Sequence, residues 1–369
     1  MNRMKLGEIL SVKHGWAFKG EYFAEDGEQS ILTPGNFFEK GGFKPNNGKE
    51  RYYTGTYPKE YLCHKGDLIV AMTQQAEGLL GSTALVPENN KYLHNQRIGL
   101  ITCDEKRLNK LFAYYLFMTK SVREQLERSS SGTKVKHTSP EKIYDVEVEI
   151  PDVISQQKIA NLLWAIDEKI ANNNAINDNL AAMAYDIYMH SFFSKKPNAK
   201  LKDILIEADK SSVQVGEAKQ STGEYPFFTS GSAILKWDTP FIDGRNCFLN
   251  TGGNADVKFY VGAAAYSTDT WCISANNNMS DYLYLLLVSI KPELNQKFFQ
   301  GTGLKHLQKP LLKDRPIYIP DFEELKTFNE QVNPMLNIIS ENTRENQELI
   351  TLRDWLLPML MNGQATISD

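Results

Sequence analysis

Residues 132–152 read GTKVKHTSPEKIYDVEVEIPD, and residues 301–321 read GTGLKHLQKPLLKDRPIYIPD. At a constant offset of 169, Gly132, Thr133, Lys136, His137, Ile150, Pro151 and Asp152 reappear as Gly301, Thr302, Lys305, His306, Ile319, Pro320 and Asp321. With Asp145 and Asp314 this makes eight identities in 21 positions, with no gap, and marks an internal repeat. The starts of the two copies also match. LGEIL (6–10) is like LKDIL (201–205), and GEQSILTPG (27–35) is like GEYPFFTSG (223–231). There the offset is about 195, so the first copy carries roughly 26 extra residues in its middle. Much of that excess falls around GGFKPNNGKERYYTGTYP (41–58).

Each copy has a front and a back. The front is rich in Gly, Asn, Thr and aromatic residues, with short β-like runs such as GDLIVAM, IGLIT, NCFLNT and VKFYV. A helical stretch interrupts it each time, NKLFAYYLFMTKSVREQLE and SDYLYLLLVSIKPELNQKF. The back begins after Ile-Pro-Asp, where Asp before a long periodic run predicts a helix start. The expected organisation is α+β: a mixed domain with small sheets over 1–150, a helix over 151–195, a second mixed domain over 199–319 and a second helix over 320–363.

The back halves carry a stripe. Ile159, Leu163, Ile166, Ile170, Asn173, Asn177, Leu180, Ala184 and Ile187 are spaced alternately by 4 and 3. Adding 169 gives Phe328, Val332, Met335, Ile339, Asn342, Asn346, Leu349, Arg353 and Leu356. A period of about 3.5 favours helices that wind around each other left-handedly. The same two steps carry Asn in both copies. These four Asn either face solvent while the stripe veers around them, or form a polar layer that sets register between the helices. Pro334 predicts a kink or a fresh start in the second helix, Pro358 a distortion of its last turns, and Gly363 its stop.

Composition is that of a globular chain, 41% hydrophobic and 23% charged in 369 residues. Four cysteines lie far apart with no C-x-x-C, which fits a reducing cytoplasm and argues against a disulfide framework or a structural zinc. The longest apolar run, YLYLLLVSI, is far short of a membrane span, and MNRMKLGEIL has no signal-peptide core. A net charge of −4 argues against a bulk-basic nucleic-acid coat while allowing a local basic groove.

No phosphate loop, G-x-G-x-x-G, H-E-x-x-H or G-x-S-x-G occurs. The reading is therefore of a chain with no catalytic and no metal-ligating residues. The repeated Gly-Thr-x-x-Lys-His is the main functional lead. Gly allows close approach, Thr133 and Thr302 offer hydroxyls, and Lys136, Lys305, His137 and His306 offer donors suited to phosphate oxygens, with Lys134 adding charge in the first copy. A structural turn, repeated because the fold repeats, is the competing account. Polar loop residues add base-edge candidates: Gln74, Gln75, Asn250, Thr251 and Asn254, with Arg97 and Arg245 suited to guanine.

The pattern IPDVISQQKIANLLWAIDEKI (150–170), with the aromatic tail YDIYMHSFF (185–193), resembles the first helical region of type I restriction–modification specificity subunits. LRDWLLPMLMNG (352–363) resembles the end of the second, and GDLIVAMTQQAEGLLG (66–81) a recurring segment of their target-recognition domains. The resemblance covers nearly the whole chain. It departs at PDFEELKTF (320–328), which lacks the Gln of the first helix start. Membership implies a non-catalytic subunit. Its two target-recognition domains would read a bipartite double-stranded DNA site, and its helices would pair as an antiparallel coiled coil. Two modification (methyltransferase) subunits would dock and bring S-adenosylmethionine. Restriction (motor endonuclease) subunits would bring ATP and Mg. Two other classes stand beside this: a protein–protein adaptor of the same fold that has lost DNA reading, and a fragment of a fused methyltransferase, against which the lack of an Asn-Pro-Pro-aromatic motif speaks.

Overall fold

The computed structural model describes residues 1–369 apart from Asn47, Gln75, Thr133, Lys134, Ser368 and Asp369. The candidates Gln75, Thr133 and Lys134 thus lie outside the described residues. The chain forms two compact units, one from Met1–Glu168 with Thr351–Asp369, the other from Lys169–Ile350.

In the first unit, strand Leu10–His14 pairs with Ile98–Cys103, which pairs with Leu68–Ala71, which pairs with Thr83–Leu85, all antiparallel. Leu68–Ala71 is buried along its whole length, as a central strand covered on both faces must be. A smaller sheet contains a parallel pair, Ser30 opposite Tyr92 and Ile31 opposite Leu93. Strand Asn2–Lys5 closes the unit against Glu147–Ile150. There Val148 and Ile150 are buried, and Glu147 and Glu149 alternate outward, Glu147 ion-paired with Arg3.

The second unit repeats this plan. Leu205–Glu207, Thr270–Ala275, Arg245–Asn250 and Val257–Val261 form the four-stranded sheet in the same order. Phe227 and Phe228 pair parallel with Ala265 and Tyr266, and Ala199–Lys200 closes against Pro316–Ile317. The runs NCFLNT and VKFYV are therefore neighbouring strands, as GDLIVAM and IGLIT are in the first unit.

Two long helices follow the fronts, Val153–Phe192 and Phe322–Met361. The Asp152 carboxylate accepts from the N–H groups of Ile154 and Ser155, each at 3.0 Å. Asp321 and Glu324 form a reciprocal cap: Glu324 N–H donates to Asp321 at 2.9 Å, and Asp321 N–H to Glu324 at 3.1 Å. The two starts diverge one residue further in. Gln156 is buried and donates to the carbonyls of Arg107 (3.0 Å) and Pro151 (2.9 Å), while accepting from Asn109 N–H (2.8 Å). Its counterpart at the same offset is the buried Leu325. The missing Gln is thus a polar clasp replaced by an apolar contact.

The expected fresh start at Pro334 does not occur; the helix runs unbroken through it and through Pro358. A mid-helix proline forfeits a hydrogen bond and costs about 3 kcal/mol, but Val332 and Leu336 on either side are fully buried and hold the turn against the second core. Gly363 is the stop. It has φ +68, its N–H donates to Leu360 O (3.2 Å), and Gln364 N–H donates to Met359 O (2.8 Å). That pair of bonds satisfies the last carbonyls through a left-handed residue.

Candidate nucleic-acid interface

The repeated motif sits at one end of each four-stranded sheet. In the first unit, Met72 N–H donates to Arg97 O (3.0 Å), Thr138 N–H to Met72 O (2.9 Å) and Gln74 N–H to Lys136 O (2.9 Å). Arg97, Met72–Gln74 and Lys136–Thr138 are therefore three adjacent strands of backbone. In the second unit, Thr251 N–H donates to Asp269 O (3.0 Å), Leu307 N–H to Thr251 O (2.9 Å) and Gly253 N–H to Lys305 O (2.9 Å). The same framework thus carries different side chains: Arg97 stands where the other copy has Asp269, and Gln74 where it has Gly253.

The glycines of the motif answer to the turn. Gly132 has φ +97, and a Cβ there would meet Val135 O at 2.2 Å; Gly301 has φ +150, and a Cβ would meet Leu304 O at 2.6 Å. Any other residue at either position clashes with backbone, so the structural-turn account holds for Gly. The remaining motif side chains are placed differently. Lys136 is ion-paired with Glu127, and His137 Nδ1 lies 3.1 Å from the Thr73 hydroxyl. Thr302, Lys305 and His306 are exposed.

Other candidates separate clearly. Gln74 is half-buried beside the motif, and Arg97 and Asn254 are exposed. Thr251 donates its hydroxyl to Asp269 O at 3.0 Å. Asn250 is buried and spends its amide on its own loop, donating to Gly252 O and Asn254 O and accepting from Asp256 N–H. Arg245 lies on a strand. Its guanidinium meets the buried Asp281 carboxylate at 2.6 and 2.5 Å and Asn337 at 2.7 Å. Asn250 and Arg245 are therefore turned inward. Sequence offered no way to see this, because the partners of Arg245 come from 36 and 92 residues away.

Two shaping residues escaped the sequence reading. Arg123 donates to four carbonyls, Phe117 O (2.6 Å), Gly78 O (2.8 Å), Leu80 O (2.8 Å) and Glu39 O (3.4 Å), and so holds the loop that carries Gln74. Burial without an acid pulls its pKa down to about 10. His94 is fully buried, with Nε2 2.8 Å from Ile98 O and no partner on Nδ1, and it braces the turn before Arg97. Burial holds its pKa down at about 4.

In the second unit, the Asn of the long helices meet. Asn173 donates to Asn346 Oδ1 (2.9 Å) and to Glu345 Oε2 (2.6 Å), Asn346 donates to Asn174 Oδ1 (2.9 Å), and Asn342 donates to Asn177 Oδ1 (2.8 Å). Partner numbers fall as residue numbers rise, so the helices run antiparallel here. Asn173 and Asn346 are buried, which rules out the solvent-facing account for that pair. Asn174 and Glu345 join the layer from off-stripe positions.

These features define a chain of two like α+β units, each presenting one repeated loop cluster and followed by a long helix. It belongs to the family of type I restriction modification DNA specificity domains, whose model matches residues 1–182 and 195–350. Among its relatives is the type I restriction enzyme MjaIX specificity subunit of Methanocaldococcus jannaschii, 21% identical over 301 residues, covering 70% of this chain and 69% of that protein. The EcoDI specificity subunit of Escherichia coli is 23% identical over 154 residues, 40% of this chain and 34% of that protein. The crystal structure of a type I restriction–modification S subunit from M. genitalium shares the fold, with a TM-score of 0.65 at 16% identity, covering 100% of this chain and 96% of that one. Among the described residues, no helix is long and apolar enough to cross a membrane.

Proposed function

We propose that this chain is the non-catalytic, DNA-reading subunit of a type I restriction–modification assembly in the cytoplasm. Each front half reads one part of a bipartite double-stranded DNA site. The long helices carry two modification subunits, which hold S-adenosylmethionine. Restriction subunits with ATP and Mg join them. The observation that carries this reading is the shared loop framework with exchanged side chains, Arg97 against Asp269 and Gln74 against Gly253. A frame that is kept while its side chains vary is what two readers of different base pairs require. A pseudo-symmetric repeat also offers one kind of partner two equivalent docking places.

The test is an exchange of residues 199–319 for the same region of a relative with another target, followed by sequencing of the methylated sites. One half of the methylated sequence should change and the other stay. A change in both halves, or in neither, rejects the two-reader model. An adaptor that has lost DNA reading would show no sequence-dependent binding with or without a modification subunit.

A further inference from the structure

The first unit carries chain that the second lacks. In the first, 38 residues separate Ser30 from Leu68; their counterparts by pairing, Phe227 and Cys247, are 20 apart. This extra chain holds Asn46 and Lys49 and leads into Arg51, whose counterpart by pairing is Ile234. With Arg97, Lys49 and Arg51 line one concavity of about 470 Å³. Asn95 and Gln96 add amide groups, Phe18 and Phe23 form an aromatic wall, and no Asp or Glu lines it.

The walls are fixed by the backbone. Ile31 N–H donates to Arg51 O (2.7 Å), Lys44 N–H to Asn36 O (2.8 Å), and Thr33 N–H to the Asn36 side chain (2.8 Å). On the opposite side Gln96 N–H donates to Trp16 O (3.1 Å) and Trp16 N–H to His94 O (2.9 Å). A Cβ on Gly15 would meet Asn95 O at 2.0 Å, so only glycine lets these two segments touch.

The charge is uncompensated. Lys49, Arg51 and Arg97 are exposed, and among the described residues none of the three has an ion-pair partner. Arg245 and Arg353, by contrast, are each paired with an acid, Arg245 with Asp281 and Arg353 with Asp167. Three like charges gathered without an acid repel one another, and an anion seated among them relieves that repulsion. Arginine forks suit phosphate oxygens in particular. The concavity continues from Arg97, whose carbonyl is bonded to Met72 in the loop cluster described above. The second unit has Asp269 at the place of Arg97 and cannot match it.

The geometry points to Lys49 and Arg51 as a clamp on the backbone phosphates of duplex DNA, present in the first repeat alone. The assignment rests on the DNA-reading function proposed above. It is tested with the full chain bound to its modification subunits. Labelled duplexes, one carrying the methylated site and one scrambled, are titrated over a series of salt concentrations. The pair Lys49→Ala and Arg51→Ala should lower the slope of log K against log salt by about two, at about 0.9 per phosphate. Affinity for both duplexes should fall by the same factor, with the methylated sequence unchanged. The charge-keeping pair Lys49→Arg and Arg51→Lys should retain the slope. An unchanged slope in the Ala pair, or altered bases in one half-site, overturns the clamp. So does an equal loss in the charge-keeping pair, which would report a disturbed fold. If the wild-type complex itself cannot tell the two duplexes apart, the DNA-reading function falls, a result separate from the failure of the clamp.

Discussion

Asn173 donates to Asn346 Oδ1 at 2.9 Å from a site that is almost fully buried. The same amide also reaches Glu345 at 2.6 Å, and Lys169 lies 3.1 Å from that carboxylate. A buried amide with two acceptors is fully used. Replacing Asn173 by Leu strands Asn346 Oδ1 and removes a donor from Glu345. The expected loss is about 1–3 kcal/mol, the cost of an unsatisfied buried polar group. Urea unfolding of Asn173→Leu checks it. A loss below about half a kcal/mol would mean that water repairs the gap.

Changing Asn173, Asn177, Asn342 and Asn346 together to Leu should behave otherwise. It removes polar burial rather than stranding it, so the melting temperature should hold or rise. What should suffer is register, because an all-apolar seam permits slips of a heptad, roughly 10 Å. The readout is methylation of substrates whose half-sites are separated by a series of spacers. A spacer preference as sharp as wild type would deny the Asn layer any part in setting register.

Lys136 and Lys305 occupy matching places, but Lys136 is ion-paired with Glu127 while Lys305 is exposed. A solvent-exposed pair is worth about 0–1 kcal/mol, so Lys136 can turn to a phosphate at little cost. Either change to Ala should reduce the salt slope of DNA binding by about one, equally for all sequences. An altered base preference at constant slope would reassign these lysines to base reading, and no effect would leave the motif a turn.

His94 makes acid a specific stress. Burial holds its folded pKa at about 4, below the ordinary value of about 6.5. The unfolded chain therefore takes up the proton first. The contribution of neutral His94 is intact above about pH 6.5, declines as pH falls, and is gone below about 4. At about 1.4 kcal/mol per unit, the whole effect is about 3 kcal/mol. Thermal melts of wild type and His94→Gln across that window should converge as pH falls. Parallel curves would show that another group governs the acid limb.

Arg97 is exposed at the edge of the loop cluster and is matched by Asp269 in the other copy. Arg97→Ala should relax specificity at one base pair of one half-site, at about 1–3 kcal/mol of discrimination. Methylome sequencing that finds every position as strict as before would remove Arg97 from base reading.

The sequence by itself determined the repeat, the α+β fronts, the long helices and the matching Asn positions on them, because each is written in local spacing: an offset of 169, a 3.5-residue period, an Asp cap. The stop at Gly363 was legible for the same reason. The burial of Asn173 and Asn346 decided that these Asn form a layer. The tertiary structure alone decided which polar side chains face outward. Arg245 and Asn250 read like loop residues, yet Asp281 and the turn Gly252–Asp256 claim them. Pro334 reads like a break, yet buried neighbours carry the helix through. Lys49 and Arg51 carry no signal until folding sets them beside Arg97. The physical reason is that propensity and periodicity act over a few residues. Desolvation and ion pairing act between groups that the chain brings together from far apart, and these settle whether a charged side chain is a structural brace or a free hand.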